Sequence, residues 1–198
     1  MPRTQQERSH TTTTELVSAA RELFAAEGYA RTSLDDVVAR AGLTKGALYH
    51  HFKGKKELFE AVFEREQVRI AELVGQAYHA EEDRWSGFHA GCRAYFEACL
   101  DRGVQRITLV DGPAVLGSDR LREIEDRHTV AGLRMGLETA MREEIIAPRP
   151  LEPLVQMLNG AISEAAMLVV RSDDQRQAAS EVLAELALML GALRTSAA

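Results

Sequence analysis

The sequence predicts an all-α fold, for reasons of composition and of apolar spacing. Ala, Leu, Glu and Arg are frequent and favour helices, whereas Pro, which interrupts them, occurs five times in 198 residues. Apolar residues recur three and four positions apart, and no run of alternating Val, Ile, Thr and Tyr indicates a β-meander. With 45% hydrophobic and 27% charged residues, the composition is that of a soluble globular protein.

A first helix is expected over about residues 12–27. Thr12 and Glu15 have the spacing of a capping box, and Gly28 stands where a helix would end. The polar arm Arg3–Arg8 that precedes this helix is expected to be disordered.

Two shorter helices are expected to follow. Ser33 and Asp36 repeat the capping-box spacing at the start of the second helix, and Gly42 marks its end. Thr44 can cap a third helix of about two turns. Two short helices joined by a turn that contains glycine are typical of a helix-turn-helix, which is therefore predicted at about 33–52.

The motif with the strongest signal runs from Thr32 to Phe59 and reads TSLDDVVARAGLTKGALYHHFKGKKELF. It combines a hydroxyl pair, an acidic helix start, Ala-Gly in the turn, and the patterns K-G-x-L-Y-x-H-F and K-K-E-L. The preceding pattern F-x-x-x-G-Y-x-x-T begins at Phe24. Over about residues 12–63 the chain resembles the TetR family of bacterial repressors.

The resemblance implies two domains, a three-helix DNA-binding head at 1–54 and a helical ligand-binding and dimerisation body at 55–198. Charge fits this division. Residues 1–56 contain nine Lys/Arg and six Asp/Glu, a net charge of +3. The rest of the chain contains 15 Lys/Arg and 24 Asp/Glu, a net charge of −9. A basic segment on an acidic body indicates a local anion-binding face, although a chance fluctuation explains the charge alone equally well.

Major-groove recognition needs side chains near the N-terminus of the second helix of the motif. This predicts contacts from Lys45, which can reach O6 and N7 of guanine or a phosphate, and from Gly46, where the backbone can come close. Thr44 either joins these contacts or serves as a helix cap alone. Further contacts with the phosphate backbone are expected from positions that match the family or stand at helix N-termini: Thr32, Ser33, Tyr49, His50 and Lys55.

The body is expected to be helical throughout. Its helices are predicted at about 55–80, 86–102, 118–146, 151–171 and 174–194, with a short apolar helix at Val104–Val110 that ends at Asp111-Gly112-Pro113. The last helix is apolar over more than one stripe. We therefore expect the last two helices to form a homodimer interface, as in similar proteins, with packing inside one chain as the alternative.

A largely apolar effector cavity is expected around the helix at 86–102. Its candidate residues are aromatic, adaptable or polar: Trp85, Phe88, Cys92, Tyr95, Phe96, Cys99, His128, Met135 and Met157. For each of them, ordinary core packing is the alternative. Cys92 and Cys99 stand roughly 10 Å apart along one helix, too far to form a disulfide. No closed set of metal ligands is evident, and neither a metal nor a cofactor is expected.

These patterns predict a cytoplasmic, sequence-specific transcriptional regulator, a repressor that a small apolar molecule releases from double-stranded operator DNA. The first ten residues lack the apolar core of a signal peptide, and no uninterrupted apolar stretch approaches the ~20 residues of a membrane span. The alternatives are a helical enzyme and a ligand-binding protein without DNA binding. Catalytic residues are not expected, because no Gly-rich phosphate loop or organised Ser/His/Asp set is evident.

Overall fold

The structure is a computed structural model that describes residues 5–195, and within that range it contains helices and turns but no strand. The all-α prediction is confirmed. The elements in chain order are α1 (Gln5–Glu27), α2 (Leu34–Ala41), α3 (Lys45–His51), α4 (Lys55–Ala80), α5 (Arg84–Ala98), α6 (Arg102–Val104), a π-helix (Gln105–Asp111), α7 (Gly112–Leu116), α8 (Ser118–Arg127), α9 (Thr129–Arg142), α10 (Leu151–Arg171) and α11 (Gln175–Gly191).

Two units divide the chain. The first unit contains the residues up to Glu66 together with 102–121, and the second unit contains 67–101 and the residues from Arg122 onward. Helix α4 therefore contributes its first three turns to the first unit and the rest of its length to the second. The functional division after residue 54 stays a prediction.

The core of the first unit is built from one apolar face of each N-terminal helix. Leu16 and Phe24 of α1, Val37 of α2 and Leu48 of α3 are at most 1% exposed. Phe24 also contacts Phe59 of α4 edge-on, with 5.2 Å between the ring centroids. Each such side chain contributes about 1.5–3 kcal/mol on burial, so packing rather than helix propensity holds these short helices in place.

The ends of α2 and α3 are set by the residues that the sequence marks. Ser33 and Asp36 form the predicted capping box at the start of α2. Gly42 has φ = 66°, a left-handed conformation that glycine adopts without strain. The Thr44 side chain accepts a hydrogen bond from the backbone N–H of Ala47 at 3.2 Å, which confirms Thr44 as the cap of α3.

The segment 102–116 is helical throughout and packs within the first unit. Gly112 is needed there, because a Cβ at this position would lie 2.7 Å from Cε2 of Phe63 on α4. Farther along, the Arg120 guanidinium on α8 donates from Nε to Glu60 on α4 at 2.9 Å.

In the second unit, α9 packs against α5 and α10, and α11 packs against α5 and α10. Two glycines of this unit mark close approaches between helices. A Cβ on Gly87 of α5 would lie 2.5 Å from the carbonyl oxygen of Tyr78, and one on Gly136 of α9 would lie 2.9 Å from the Phe88 ring. The Trp85 and Phe88 rings stack at 5.8 Å between centroids.

Helix α1 begins earlier than expected. Its first residue is Gln5, not a residue near 12, so the arm Arg3–Arg8 is helical from Gln5 on, and Arg3 lies outside the described residues. Thr12 does not begin the helix, because residues 5–11 before it are already helical. Thr13, inside the helix, donates its hydroxyl to the Ser9 carbonyl at 3.0 Å.

Three boundaries in the body also differ from the prediction. Helix α5 starts after the cap Asp83 and ends at Ala98, so Trp85 lies within the helix rather than before it. The chain remains helical through Asp111-Gly112-Pro113, because proline is accommodated at the first positions of α7. The helix expected over 118–146 is interrupted at His128, whose φ of −123° and ψ of −85° are not helical.

Candidate nucleic-acid interface

The exposed face of α3 is formed by the residues that sequence reasoning assigned to the major groove. Lys45 and Tyr49 are one helical turn apart, as are Gly46 and His50, so the four share a face. All four are exposed, as is the cap Thr44. On the opposite face Leu48 and Phe52 are 1% and 6% exposed, as predicted for core residues. A short helix is thus anchored by two apolar side chains and presents its N-terminal end to solvent.

Lys45 is not a solitary cation at this surface. Its Nζ lies 2.8 Å from Oδ1 of Asp35 at the start of α2. Asp35 raises the pKa of Lys45, first through the hydrogen bond and then through its charge. Both side chains are well exposed, so this ion pair can exchange for a bond to DNA. Sequence reasoning read the acidic start of α2 as a helix signal alone and missed this pairing.

Tyr49 and His50 supply donors beside Lys45. The Tyr49 side chain is 59% exposed, unusual for a large aromatic residue. The neighbouring His51 is half-buried, and its Nδ1 lies 3.3 Å from Oγ1 of Thr13 on α1. That contact ties the end of α3 to α1 and leaves His50 as the histidine that faces outward.

Ser33 and Thr32 have their hydroxyls committed to the fold. The backbone N–H of Ser33 and its hydroxyl both donate to the Asp36 carboxylate, and these bonds lower the pKa of Asp36. Thr32 is 1% exposed and donates its hydroxyl to the Gly28 carbonyl at 3.0 Å. The Thr32 hydroxyl is thus directed into the turn, and a contact between Thr32 and DNA stays a prediction.

Lys55, at the first position of α4, is also engaged. Its Nζ donates to the carbonyl oxygens of Tyr29 at 2.7 Å, Thr32 at 2.9 Å and Ala30 at 3.4 Å. The same ammonium lies 4.3 Å from the centroid of the Tyr29 ring. The structure therefore brings Lys55 to the turn between α1 and α2.

The second unit holds most of the residues predicted for the effector cavity. Trp85, Phe88, Phe96 and Cys99 are buried there, at 7%, 5%, 0% and 1% exposure. His128, Tyr95 and Cys92 are half-buried. Met135 and Met157, in contrast, are 55% and 74% exposed, which is at odds with an interior position. Both side chains are thus largely uncovered in one chain.

A groove of about 290 Å³ lies between α10 and α11 and has an apolar lining, with the carboxylates of Glu181 and Glu185 beside it. Of the predicted cavity residues, Phe96 lines this groove. Its other apolar lining residues come from the two helices: Ala161, Ile162, Ala165, Leu168, Ala178, Val182, Leu186 and Met189.

The titratable groups of the second unit are shifted by burial. Desolvation raises the thiol pKa of both Cys92 and Cys99 to about 12, so neither has the thiolate character of a redox sensor. Desolvation also raises the pKa of Tyr95, to which the Cys99 side chain is hydrogen-bonded. The pKa of Glu125 rises to about 7, through desolvation and then the charge of Asp126.

Helices α10 and α11 expose large apolar side chains. Met157 and Leu168 on α10 are 74% and 52% exposed, and Leu188 and Met189 on α11 are 69% and 54% exposed. Among the described residues, α10 is also the helix that is long and apolar enough to cross a membrane, with a mean hydropathy of 1.4. Within the chain, 22% of that apolar stretch is buried.

Comparison with known proteins connects both parts of the chain to one family. The family "bacterial regulatory proteins, tetR family" matches residues 16–62, and the tetracyclin repressor-like C-terminal domain matches residues 85–193. The first match contains the helix-turn-helix, and the second covers more than half of the chain.

Individual relatives agree with these matches. The crystal structure of a TetR-family transcriptional regulator from Pectobacterium atrosepticum is 35% identical, with a TM-score of 0.84 over 99% of this chain and 100% of that one. The probable HTH-type transcriptional regulator ArpR of Pseudomonas putida is 39% identical over 72% of this chain and 71% of its own length.

The Transposon Tn10 TetC protein of Escherichia coli is 27% identical over 79% of each chain. Members of this family bind operator DNA and small-molecule ligands and act as dimers. The chain belongs to the TetR family, and its relatives are DNA-binding transcriptional regulators rather than enzymes.

Proposed function

We propose that the protein is a homodimeric repressor that binds an operator through α3 and is released by a small, largely apolar effector. One observation carries the DNA-binding part: Lys45, Gly46, Tyr49 and His50 form an exposed face on a helix that Leu48 and Phe52 anchor from behind. This is the arrangement that recognition helices use to place side chains in the major groove.

The roles within this face follow from donor chemistry. Lys45 can exchange Asp35 for O6 or N7 of guanine, and Gly46 has no side chain to hold the backbone away from the base pairs. Tyr49 and His50 can donate to phosphate oxygens, as can the side chain of Thr44. Such phosphate contacts set the position of the protein without reading sequence.

Thr32, Ser33 and Lys55 complete the proposed set from a different position. Their polar groups are committed to the turn between α1 and α2 or to the cap of α2. In our proposal Thr32 and Ser33 serve by presenting the N-terminus of α2, whose dipole favours a phosphate, rather than through their hydroxyls.

The dimer is proposed to form through α10 and α11. Their exposed Met157, Leu168, Leu188 and Met189, together with the groove between the helices, amount to an apolar surface that a monomer would leave in water. A second copy related by a two-fold axis covers the same residues on both chains. It also presents two heads to the two halves of a palindromic operator.

The effector site is proposed around α5, among the buried aromatic residues of the second unit. Trp85, Phe88 and Phe96 supply apolar surface, Cys92 and Cys99 act as neutral thiols, and Tyr95 and His128 supply polar groups. An effector that binds the released conformation more tightly than the DNA-bound one shifts the population away from the operator.

The proposal places the protein in the cytoplasm, where operator DNA is found. The apolar length of α10 is then explained by the dimer interface, because helices buried between subunits share the composition of membrane spans.

Selection of bound sequences from a random pool of double-stranded DNA tests the function. We expect enrichment of a palindrome with half-sites about one helical turn apart. Small aromatic and aliphatic compounds are then screened for release of the enriched DNA. Failure to enrich any sequence would overturn the assignment of operator binding, and enrichment without release by any compound would overturn the effector part.

A further inference from the structure

The α1–α2 loop, residues 28–32, determines where α2 begins. Gly28 has φ = +83° and closes α1 by donating its N–H to Phe24 at 2.9 Å. At the other end of the loop, Thr32 donates both its backbone N–H and its hydroxyl to the Gly28 carbonyl. The next residue, Ser33, is the cap of α2. A shift of this loop therefore moves the first turn of the helix-turn-helix.

Lys55 holds the loop from the side of α4. An ammonium group has three N–H donors, and the three carbonyl oxygens of Tyr29, Ala30 and Thr32 lie within 3.4 Å of Nζ. The Tyr29 ring face covers the same ammonium at 4.3 Å. Lys55 therefore ties the start of α4 to the α1–α2 loop.

Asp111 holds the same loop from the side of the π-helix. Its Oδ2 accepts a hydrogen bond from the backbone N–H of Tyr29 at 2.8 Å. Tyr29 thus has its N–H bound to Asp111 and its carbonyl bound to Lys55. Arg106, five residues before Asp111, lies so close to Gly28 that a Cβ on Gly28 would be 2.9 Å from its Nε.

The hydrogen bond between Asp111 and the Tyr29 amide depends on the geometry of the π-helix. Asp111 is the last residue of the seven-residue π-helix, and α7 continues directly from it. A π-helix is rare and marks functional sites in many proteins. Conversion of one π turn to an α turn rotates and shifts the residues that follow, so Asp111 would move relative to the Tyr29 amide.

We propose that Lys55 and Asp111 are positioning residues that set operator affinity by holding the α1–α2 loop at Tyr29. The end of the π-helix thereby controls the start of α2. The first readout, operator affinity, rests on the proposed operator binding. The second readout, amide hydrogen exchange, is independent of it.

The DNA readout is the salt dependence of affinity for the selected operator. Lys55→Ala and Asp111→Ala are each expected to weaken binding about tenfold, since each removes hydrogen bonds to a charged group. For Asp111→Ala the slope of log affinity against log salt is expected to stay at the wild-type value, because Asp111 carries no positive charge that could neutralise a phosphate. The double variant is expected to lose less than the product of the single losses, because both residues act on one loop.

Lys56→Ala is the matched control, because it removes an equal charge from the exposed neighbouring residue. A loss of operator affinity in Lys55→Ala no larger than in Lys56→Ala would overturn the proposal, and so would wild-type operator affinity in Asp111→Ala. Retained helicity and an unchanged dimer mass verify that each variant is folded.

The second readout needs no DNA. Amide hydrogen exchange in the peptide that contains residues 28–32 is expected to accelerate in both Lys55→Ala and Asp111→Ala, and to stay unchanged in Lys56→Ala. Unchanged exchange in either of the first two variants would show that the loop does not depend on that residue. This result would overturn the positioning role even if operator binding itself were confirmed, and a failure to bind DNA would leave the exchange result standing.

Discussion

At the scale of residues, the head combines groups that are free to meet DNA with groups that the fold has already engaged. Lys45 is paired with an exposed carboxylate, whereas the Lys55 ammonium is surrounded by main-chain carbonyls. The two lysines stand ten residues apart in one basic stretch of sequence. Their different surroundings predict different effects on DNA binding.

Asp35→Asn is expected to raise affinity for non-specific DNA by a few-fold and to reduce the preference for the operator. The substitution removes a negative charge beside the phosphates and releases Lys45, whose Nζ lies 2.8 Å from Asp35. Fluorescence anisotropy with operator and scrambled duplexes at one salt concentration measures both effects.

Glu22→Gln serves as the control for Asp35→Asn, because Glu22 forms a similar exposed pair, with Arg40 at 2.9 Å. An equal rise in non-specific affinity in both variants would show a general charge effect and contradict a role for the Asp35–Lys45 pair.

Glu125→Gln is expected to stabilise the protein at pH 8 and to leave its stability nearly unchanged at pH 4.5. The pKa of Glu125 in the folded chain is about 7, above its ordinary 4.5. The folded state therefore binds the proton more tightly, and the stability from this group is lost as pH rises through 7. The loss is at most about 3–4 kcal/mol.

Thermal unfolding of wild type and Glu125→Gln across this pH range measures the difference. Glu123→Gln, an exposed position on the same helix, is expected to show no such pH dependence. A parallel pH profile for wild type and Glu125→Gln would contradict the burial of this carboxyl group.

At the scale of elements, the two glycines of the helix-turn-helix differ in whether the backbone requires a glycine. Gly42 has φ = 66° in the turn, where any other residue is strained. Gly46 lies within α3 with ordinary room for a Cβ, the nearest atom being Thr44 Oγ1 at 3.8 Å. The fold requires the first glycine and does not require the second.

Gly46→Ala is expected to raise the unfolding temperature slightly, since alanine favours a helix over glycine by up to about 1 kcal/mol, and to weaken operator binding because the methyl group keeps the backbone from the base pairs. Gly42→Ala is expected to lower stability by about 1–2 kcal/mol. Thermal unfolding and anisotropy separate the two effects. Operator binding by Gly46→Ala at wild-type affinity would contradict a close approach of this helix to DNA.

At the scale of the whole molecule, helices α10 and α11 have more apolar surface than one chain covers. Leu188→Glu is expected to dissociate the dimer while leaving the monomer folded, because Leu188 is 69% exposed in the single chain. Operator affinity should fall with it, since one head alone reads one half-site. Sedimentation velocity and circular dichroism measure mass and fold.

Met135→Glu is the control for Leu188→Glu, because Met135 is 55% exposed on α9 and lies outside the proposed interface. A dimer that survives Leu188→Glu would contradict the interface, and dissociation by Met135→Glu as well would show that α9 takes part in it.

The sequence could predict what is encoded by near neighbours. Ser33 with Asp36, Gly42 and Thr44 mark helix ends within four residues of one another, and the spacing of Leu48 and Phe52 identifies the buried face of α3. The link between Asp111 and Tyr29 could not be predicted in this way, because 82 residues separate them.

The body was harder to predict for a second reason. Apolar side chains that face a subunit interface have the same helical spacing as side chains that face a core. Met157 was therefore expected in a cavity, although it is 74% exposed in the single chain. The break at His128 has no glycine or proline to announce it, so two helices were expected to be one.

The central claim is that the N-terminal end of α3 reads base pairs. Anisotropy measurements on the selected operator, changed one base pair at a time, test this most directly with wild type and Lys45→Ala. Wild type is expected to lose about 1–3 kcal/mol at each specific position. Lys45→Ala should lose its discrimination at one base pair in each half-site, at positions related by the two-fold axis, and keep it elsewhere. Equal weakening by Lys45→Ala on every duplex, with the pattern of discrimination unchanged, would contradict the account.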